Sequence, residues 1–267
     1  MTTDRTTKRG AICIWGIVPA AGYGRRMGQP KQTLPFAGST VTGTVVRTLL
    51  AAGVDGLIVV TRRALRIDLD LPADPRIVVC FNEDADSEMI DSIRLGLRTL
   101  EHFSYLRSEP RASARAMKEG SAPDRERKDA SAITDDTSEQ GGERGPDIRP
   151  VVGSRDGVLV VPGDLPSVDV RTCRRCMGMF RQQPDRIVVA AHAGRRGHPI
   201  VFPCAFAREI ERLTAGLNTL LDRRTDSVVH AEVDDPGACR DVDTPEDYDA
   251  LTEDVSRDAW DEADRPA

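Results

Sequence analysis

The sequence predicts an α/β domain in three layers, with helices on both faces of a mostly parallel sheet. Three observations carry that reading. Short runs rich in valine, isoleucine and leucine recur along the chain, as strands buried on both faces of a sheet require. Stretches with helical apolar spacing lie between them, the pattern of alternating strand and helix. The first run opens straight into a glycine loop, and glycine lets backbone N–H groups approach a phosphate closely because it has no Cβ.

The elements follow in order. Residues 12–18 read ICIWGIV and form the first strand. Residues 41–52 have helical spacing and stop at Gly53, a glycine suited to the left-handed residue that ends a helix. Strands follow at 57–61 and 77–80. In 89–100 the apolar residues Met89, Ile90, Ile93, Leu97 and Leu100 share one helical face. Residues 158–161, 187–191 and 228–233 are strands, 170–180 and 206–213 helices, and 246–251 a short helix.

Two stretches break the alternation. Residues 104–155 are rich in Ser, Glu, Pro, Arg, Lys, Asp and Gly and have almost no apolar periodicity. Such a segment buries too little surface to offset its ordering entropy, so it reads as a disordered insertion, either a solvated spacer or a partner-binding arm. Residues 1–10 read as a flexible start, 11–252 as the domain, and 253–267 as an acidic, fraying tail.

Bulk properties narrow the function. A chain of 267 residues suffices for one domain with a substantial core. A net charge of −6 argues against a nucleic-acid-binding surface, and aromatics at 4% argue against base-stacking platforms. Residues 1–10 are polar, and the apolar stretch after them is interrupted by glycine and proline, so neither a signal peptide nor a membrane span is expected. Cysteines at 13, 80, 173, 176, 204 and 239 lack the spacing of a disulfide framework, which points to a reducing cytoplasm. Cys173 and Cys176 form a CxxC inside a predicted helix, without the second pair that zinc needs, and read as incidental.

Residues 18–35, VPAAGYGRRMGQPKQTLP, carry the chemistry. Gly22, Gly24 and Gly28 open the loop to phosphate, and Arg26 and Lys31 supply the positive charge that a triphosphate needs. The spacing is neither that of a P-loop nor that of the dinucleotide fingerprint. Further on, Asp164 follows a strand in P-G-D-L-P. That residue is either a turn aspartate or a carboxylate placed for Mg²⁺ at a strand end. Near the end, Thr244, Pro245, Glu246 and Asp247 read as the cap and first turn of a helix, which leaves Asp241 and Asp243 unexplained.

The loop resembles the opening signature of the MobA-like nucleotidyltransferases, A-A-G-x-[GS]-x-R-M-G-x-x-K. Ala20, Ala21, Gly22, Arg26, Met27, Gly28 and Lys31 stand at its positions, and Leu34-Pro35 fits the run after the lysine. The nearest branch is that of the molybdenum-cofactor cytidylyltransferases. The resemblance implies a three-layer Rossmann-like nucleotidyltransferase fold. It implies Arg26 and Lys31 as catalytic residues and Ala20, Ala21, Gly22, Gly24, Gly28 and Ser92 as nucleotide-binding residues. It makes Asp164 a ligand of Mg²⁺, with Asp243 the second ligand ahead of Asp241.

Two further stretches look similar to the family. G-R-R-G-H-P-I at 194–200 resembles an acceptor-facing loop and makes His198 an acceptor-binding residue. A turn histidine bonded to backbone is the equal alternative. Residues 88–97 resemble the family's G-M-x-x-S-[LI]-x-x-G-L, with Glu88 where the family has glycine. The implied substrates are a nucleoside triphosphate, CTP first, and a phosphorylated acceptor, molybdopterin first. A molybdoenzyme or a maturation factor is the implied protein partner. A different phosphorylated acceptor and a nucleotide-binding regulator without turnover are the alternatives. A relic would have little reason to keep both Asp164 and Asp243. A dinucleotide oxidoreductase is disfavoured by the glycine spacing.

Overall fold

A computed structural model of the chain describes residues 11–24, 27–108 and 153–263. The strands are β1 (Ile14–Ala20), β2 (Pro35–Phe36), β3 (Ser39–Thr40), β4 (Gly56–Thr61), β5 (Ile77–Phe81), β6 (Gly157–Val160), β7 (Ile187–His192), β8 (Arg195–Pro203) and β9 (Val228–Glu232). The helices are α1 (Val41–Ala52), α2 (Met89–Ser108), α3 (Val170–Gln182), α4 (Ala207–Ile210), α5 (Asn218–Arg223) and α6 (Pro245–Ala263). Seven strands form one sheet in the order β5-β4-β1-β6-β8-β7-β9, and β2 and β3 form a small hairpin. The pairs β1/β4, β1/β6, β4/β5 and β7/β9 are parallel. The pairs β6/β8 and β7/β8 are antiparallel, so the sheet is mostly parallel as the sequence predicts.

Strand alternation builds two cores. Ile14, Val18, Leu57, Val59, Leu159 and Val161 face one side, where they meet Val45 and Leu49 of α1 and Met177 and Phe180 of α3. Ile17, Ile58, Val60, Val158 and Val160 face the other, against Ile90, Ile93 and Leu97 of α2 and Leu220 of α5. Successive residues on a pleated strand point to opposite faces, so a continuous apolar run needs helices on both sides. Cys173 and Cys176 are buried on the first side as free thiols.

Chain order sets the place of the site. From β1 the chain runs outward to β4 and β5, then crosses back to pair β6 against the other edge of β1. Where the order reverses, between β1 and β6, a crevice forms at the carboxyl ends of the strands.

The structure departs from the expected elements in several places. The stretch at 194–200 is not a loop; it turns at Ala193 and Gly194 and then runs as β8. Its arginines, glycine and proline conceal a strand that exists through pairing, with Leu159 opposite Val201 and Val160 opposite Ile200. The helix expected at 206–213 shortens to one α-helical turn, α4, after a 3₁₀ turn at Cys204–Phe206. Helix α2 runs to Ser108 and takes in the first residues of the stretch at 104–155. The rest of that stretch as far as residue 152 lies outside the described residues, as does 1–10. Helix α6 continues to Ala263, across the boundary where fraying was expected. Among the described residues, no helix is long and apolar enough to cross a membrane.

Candidate active site

The glycine loop leaves β1 at Ala20 and is held from beneath. Buried Gln32 donates from Nε2 to the Gly22 carbonyl at 2.7 Å. Gly24 has φ of +58°, and a Cβ there would lie 2.5 Å from the Gln29 carbonyl oxygen. Only glycine meets both conditions without strain. Met27 closes the turn by donating its N–H to the Gly24 carbonyl at 2.9 Å. Its side chain is buried among Phe36, Val41, Val242 and Leu251, which ties the loop to α6. Arg26 lies outside the described residues.

The loop after β6 is locked to the one after β1. Gly163 donates its N–H to the Pro19 carbonyl at 2.9 Å, and its own carbonyl accepts from Thr42 Oγ1 at 2.8 Å. A Cβ on Gly163 would come within 2.8 Å of Ala20 Cβ, so the two loops touch through a bare backbone. Asp164 follows, and its carbonyl accepts from Val242 N–H at 2.9 Å. That bond draws in the segment that carries Asp243. Thr244 and Asp247 then cap α6: Thr244 N–H donates to Asp247 Oδ2 at 2.9 Å, and Asp247 N–H donates to Thr244 Oγ1 at 3.2 Å.

These ties converge on Lys31. Its ammonium lies 2.7 Å from Asp164 Oδ2 and 2.6 Å from Asp243 Oδ1. Its side chain is only 12% exposed. Burial alone would lower the lysine pKa, but the two carboxylates outweigh it and hold the value above normal. The other carboxylate oxygen, Asp164 Oδ1, is buried with no hydrogen-bond partner. Burial also lifts the Asp241 pKa, with the Asp243 and Asp164 charges adding to the effect.

Among the described residues, no cluster of three or more His, Cys, Asp or Glu side chains is placed to hold a metal ion. Asp164 and Asp243 are therefore a pair. A pair with an unpartnered buried oxygen, in the same cleft as the glycine loop, suits a hard divalent cation, which takes oxygen ligands.

A cleft of about 500 Å³ opens beside this group. Ala20, Ala21, Gly22, Gly24, Lys31, Ser92, Asp164 and Asp243 line it, so the structure gathers most of the predicted residues in one place. The start of α2 forms the far wall through Ser87, Glu88 and Met89. Asp91 caps that helix by accepting Glu88 N–H at 2.9 Å. Asn82 donates to both Ser87 Oγ and Ser92 Oγ at 3.1 Å, which fixes the two hydroxyls. Glu88 is exposed and lines this wall.

Two predicted residues are not brought to the cleft. Gly28 adopts φ of +66° in the turn but does not line the wall. His198 sits on β8, with Nδ1 3.3 Å from the Val160 carbonyl oxygen. Burial pushes its pKa down to about 4, so it is neutral at pH 7 with the proton on Nδ1. Its geometry is that of a backbone-bonded histidine.

Sequence reasoning missed Gln32, Thr42 and the Tyr23–Arg62 pair. The Arg62 guanidinium stacks 4.0 Å above the ring of Tyr23, which lines the cleft. Gln32 carried no signal, since its burial is a property of the fold. Thr42 and Arg62 carried none, because their partners are distant in sequence.

The chain is similar to the crystal structure of Rv0371c from Mycobacterium tuberculosis H37Rv, at 26% identity and TM-score 0.63, over 91% of this chain and 99% of that one. A structure of Rv0371c in complex with manganese matches at 26% identity and TM-score 0.57, over 90% and 98%. A nucleotidyl transferase from Methanothermobacter shares the fold at 21% identity and TM-score 0.61, over 92% and 98%. No curated protein matches the chain. The MobA-like NTP transferase domain model matches residues 16–228, which takes in the glycine loop, Lys31, Ser92 and Asp164, and the chain belongs to that family.

Proposed function

We propose that this protein is a Mg²⁺-dependent nucleotidyltransferase that moves CMP from CTP to the phosphate of molybdopterin and releases pyrophosphate. The observation that carries this reading is Lys31 held between Asp164 and Asp243 at the foot of the glycine loop. A cation and two carboxylates, Asp164 in the loop after β6 and Asp243 just before α6, meet in one cleft, the set that phosphoryl-type transfer needs. The family and the manganese complex of Rv0371c support a divalent cation.

Asp164 and Asp243 hold the metal, which when bound neutralises charge on the triphosphate. Gly22 and Gly24 let the backbone close on the phosphates, and Ser92 lies on the opposite wall against the nucleoside. Lys31 and Arg26 hold the β- and γ-phosphates. An oxygen of the acceptor phosphate attacks the α-phosphorus, and the bond to the bridging oxygen breaks. Lys31 stabilises the charge that develops on the leaving pyrophosphate. The reaction runs in the cytoplasm. A molybdoenzyme or a maturation factor takes the product.

Glu88 favours a second reading, another small phosphorylated acceptor or another base. A carboxylate on the cleft wall selects for hydrogen-bond donors, which a glycine does not. One experiment addresses both. Purified protein, Mg²⁺ and each nucleoside triphosphate are combined with and without molybdopterin, and pyrophosphate release is followed. Release that needs CTP and molybdopterin together is the expected result. Release that needs a nucleoside triphosphate other than CTP, or that appears only when molybdopterin is replaced by another small phosphorylated acceptor in a parallel series, would move the assignment to the second reading.

A further inference from the structure

We propose that the Lys31 ammonium and the divalent cation compete for the same pair of carboxylate oxygens, so that metal binds tightly only after a triphosphate has drawn Lys31 away. This rests on the proposal that Asp164 and Asp243 carry the metal.

Geometry comes first. Asp164 Oδ2 and Asp243 Oδ1 both lie within 2.7 Å of one point, the lysine nitrogen. A cation bridging those two oxygens has to sit close to that point, since Mg²⁺–oxygen distances are about 2.1 Å. Two cations cannot share the position, because like charges so close repel strongly in a low-dielectric cleft.

Charge gives the order of events. Two carboxylates and one ammonium leave the group with a single negative charge. Exchanging the ammonium for a divalent cation makes it neutral and frees one positive charge. The nearest use for that charge is the glycine loop, because Lys31, Gly22 and Gly24 line the same cleft. Lysine suits such an exchange: it is a compact charge on a flexible four-carbon stem, without the rigid fork of arginine. A triphosphate offers the ammonium better partners than the carboxylates do, so nucleotide and metal bind with positive coupling. By linkage the coupling is reciprocal.

The test measures metal binding without turnover. Mn²⁺ binding to the protein alone is followed by the electron paramagnetic resonance of free Mn²⁺. Wild type should bind weakly, and Lys31→Met, which removes the charge and keeps the stem, should bind at least about tenfold tighter. Lys31→Arg keeps the charge and should stay within roughly threefold of wild type. Equal Mn²⁺ affinity in wild type and Lys31→Met, abolished in both by Asp164→Asn, would overturn the competition and leave the metal assignment standing. Failure of every variant to bind Mn²⁺ would overturn both.

Should Lys31→Met not fold, the wild-type protein carries the test. The chain has only four lysines, so ¹³Cε-lysine NMR resolves Lys31, which Lys31→Arg identifies by the missing signal. Saturating Mg²⁺ should move that signal to a free-lysine position. An unmoved signal would overturn the competition.

Discussion

Replacing Asp164 by asparagine removes one negative charge from the cleft and changes almost nothing else. The backbone stays tied, because the bond from Val242 N–H at 2.9 Å goes to the Asp164 carbonyl. The asparagine side-chain oxygen can still accept from Lys31 at the 2.7 Å position. Lys31 also keeps Asp243 at 2.6 Å. What is lost is one charged partner in a group 12% and 17% exposed, between the surface and buried limits, worth about 1–2 kcal/mol. The melting temperature should therefore fall by only roughly 2–8 °C. Activity should fall much further. Losing one of two carboxylates that position the metal weakens charge stabilisation of the transition state by about 3–4 kcal/mol, or on the order of 10²–10³ in kcat. Pyrophosphate release at limiting and at saturating Mg²⁺, with a thermal melt on the same preparation, separates the two effects. Near-normal turnover at limiting Mg²⁺ would refute the metal role. A collapse of the melt would show that Asp164 is structural instead.

Four further outcomes are expected. Lys31→Ala should lower kcat about a hundredfold while changing the nucleotide KM less, and a change confined to KM would reduce the lysine to a binding group. Asp243→Asn should cost more activity than Asp241→Asn, because Asp243 meets the Lys31 ammonium at 2.6 Å; the reverse order in steady-state rates would exchange the two roles. Gly163→Ala places a Cβ 2.8 Å from Ala20 Cβ and 3.0 Å from Thr42 Oγ1. It should push Asp164 out of position and lower turnover at least about tenfold with modest loss of stability, whereas unchanged kinetics would mean that the loops separate freely. His198, held to about 4 by burial, takes up its proton less readily folded than unfolded. Its contribution to stability is complete above pH 6.5 and is lost as pH falls toward 4, by up to roughly 3 kcal/mol. His198→Gln should flatten that part of the stability–pH curve, measured by urea melts, and an unaltered curve would contradict the burial.

Much of the fold was legible because strands buried on both faces and helices with one apolar face leave local, periodic marks. Helix 41–52 and its Gly53 stop were read to the residue, and the strand at 77 began where expected. Strand β8 was not legible: RRGHPIVFP carries local signals for a turn, and only its hydrogen bonds to β6 and β7 make it a strand. The first turn of α6 was read from its capping residues, but its length was not, since the acidic run after Leu251 lacks the apolar stripe by which a helix is recognised.

The order of amino acids supplies the chemistry on offer: a glycine loop with cations, a strand-end aspartate, an acidic segment before a capped helix. Those are properties of residue type and short spacing, and they survive without a fold. The tertiary structure alone decided which of them meet. Lys31, Asp164 and Asp243 lie far apart in the chain and are joined because β6 pairs beside β1 and because Val242 bonds to the Asp164 carbonyl. It likewise left His198 against a backbone carbonyl and set Glu88 in the cleft wall. Contact between distant residues depends on sheet order and loop closure, and no local pattern encodes either.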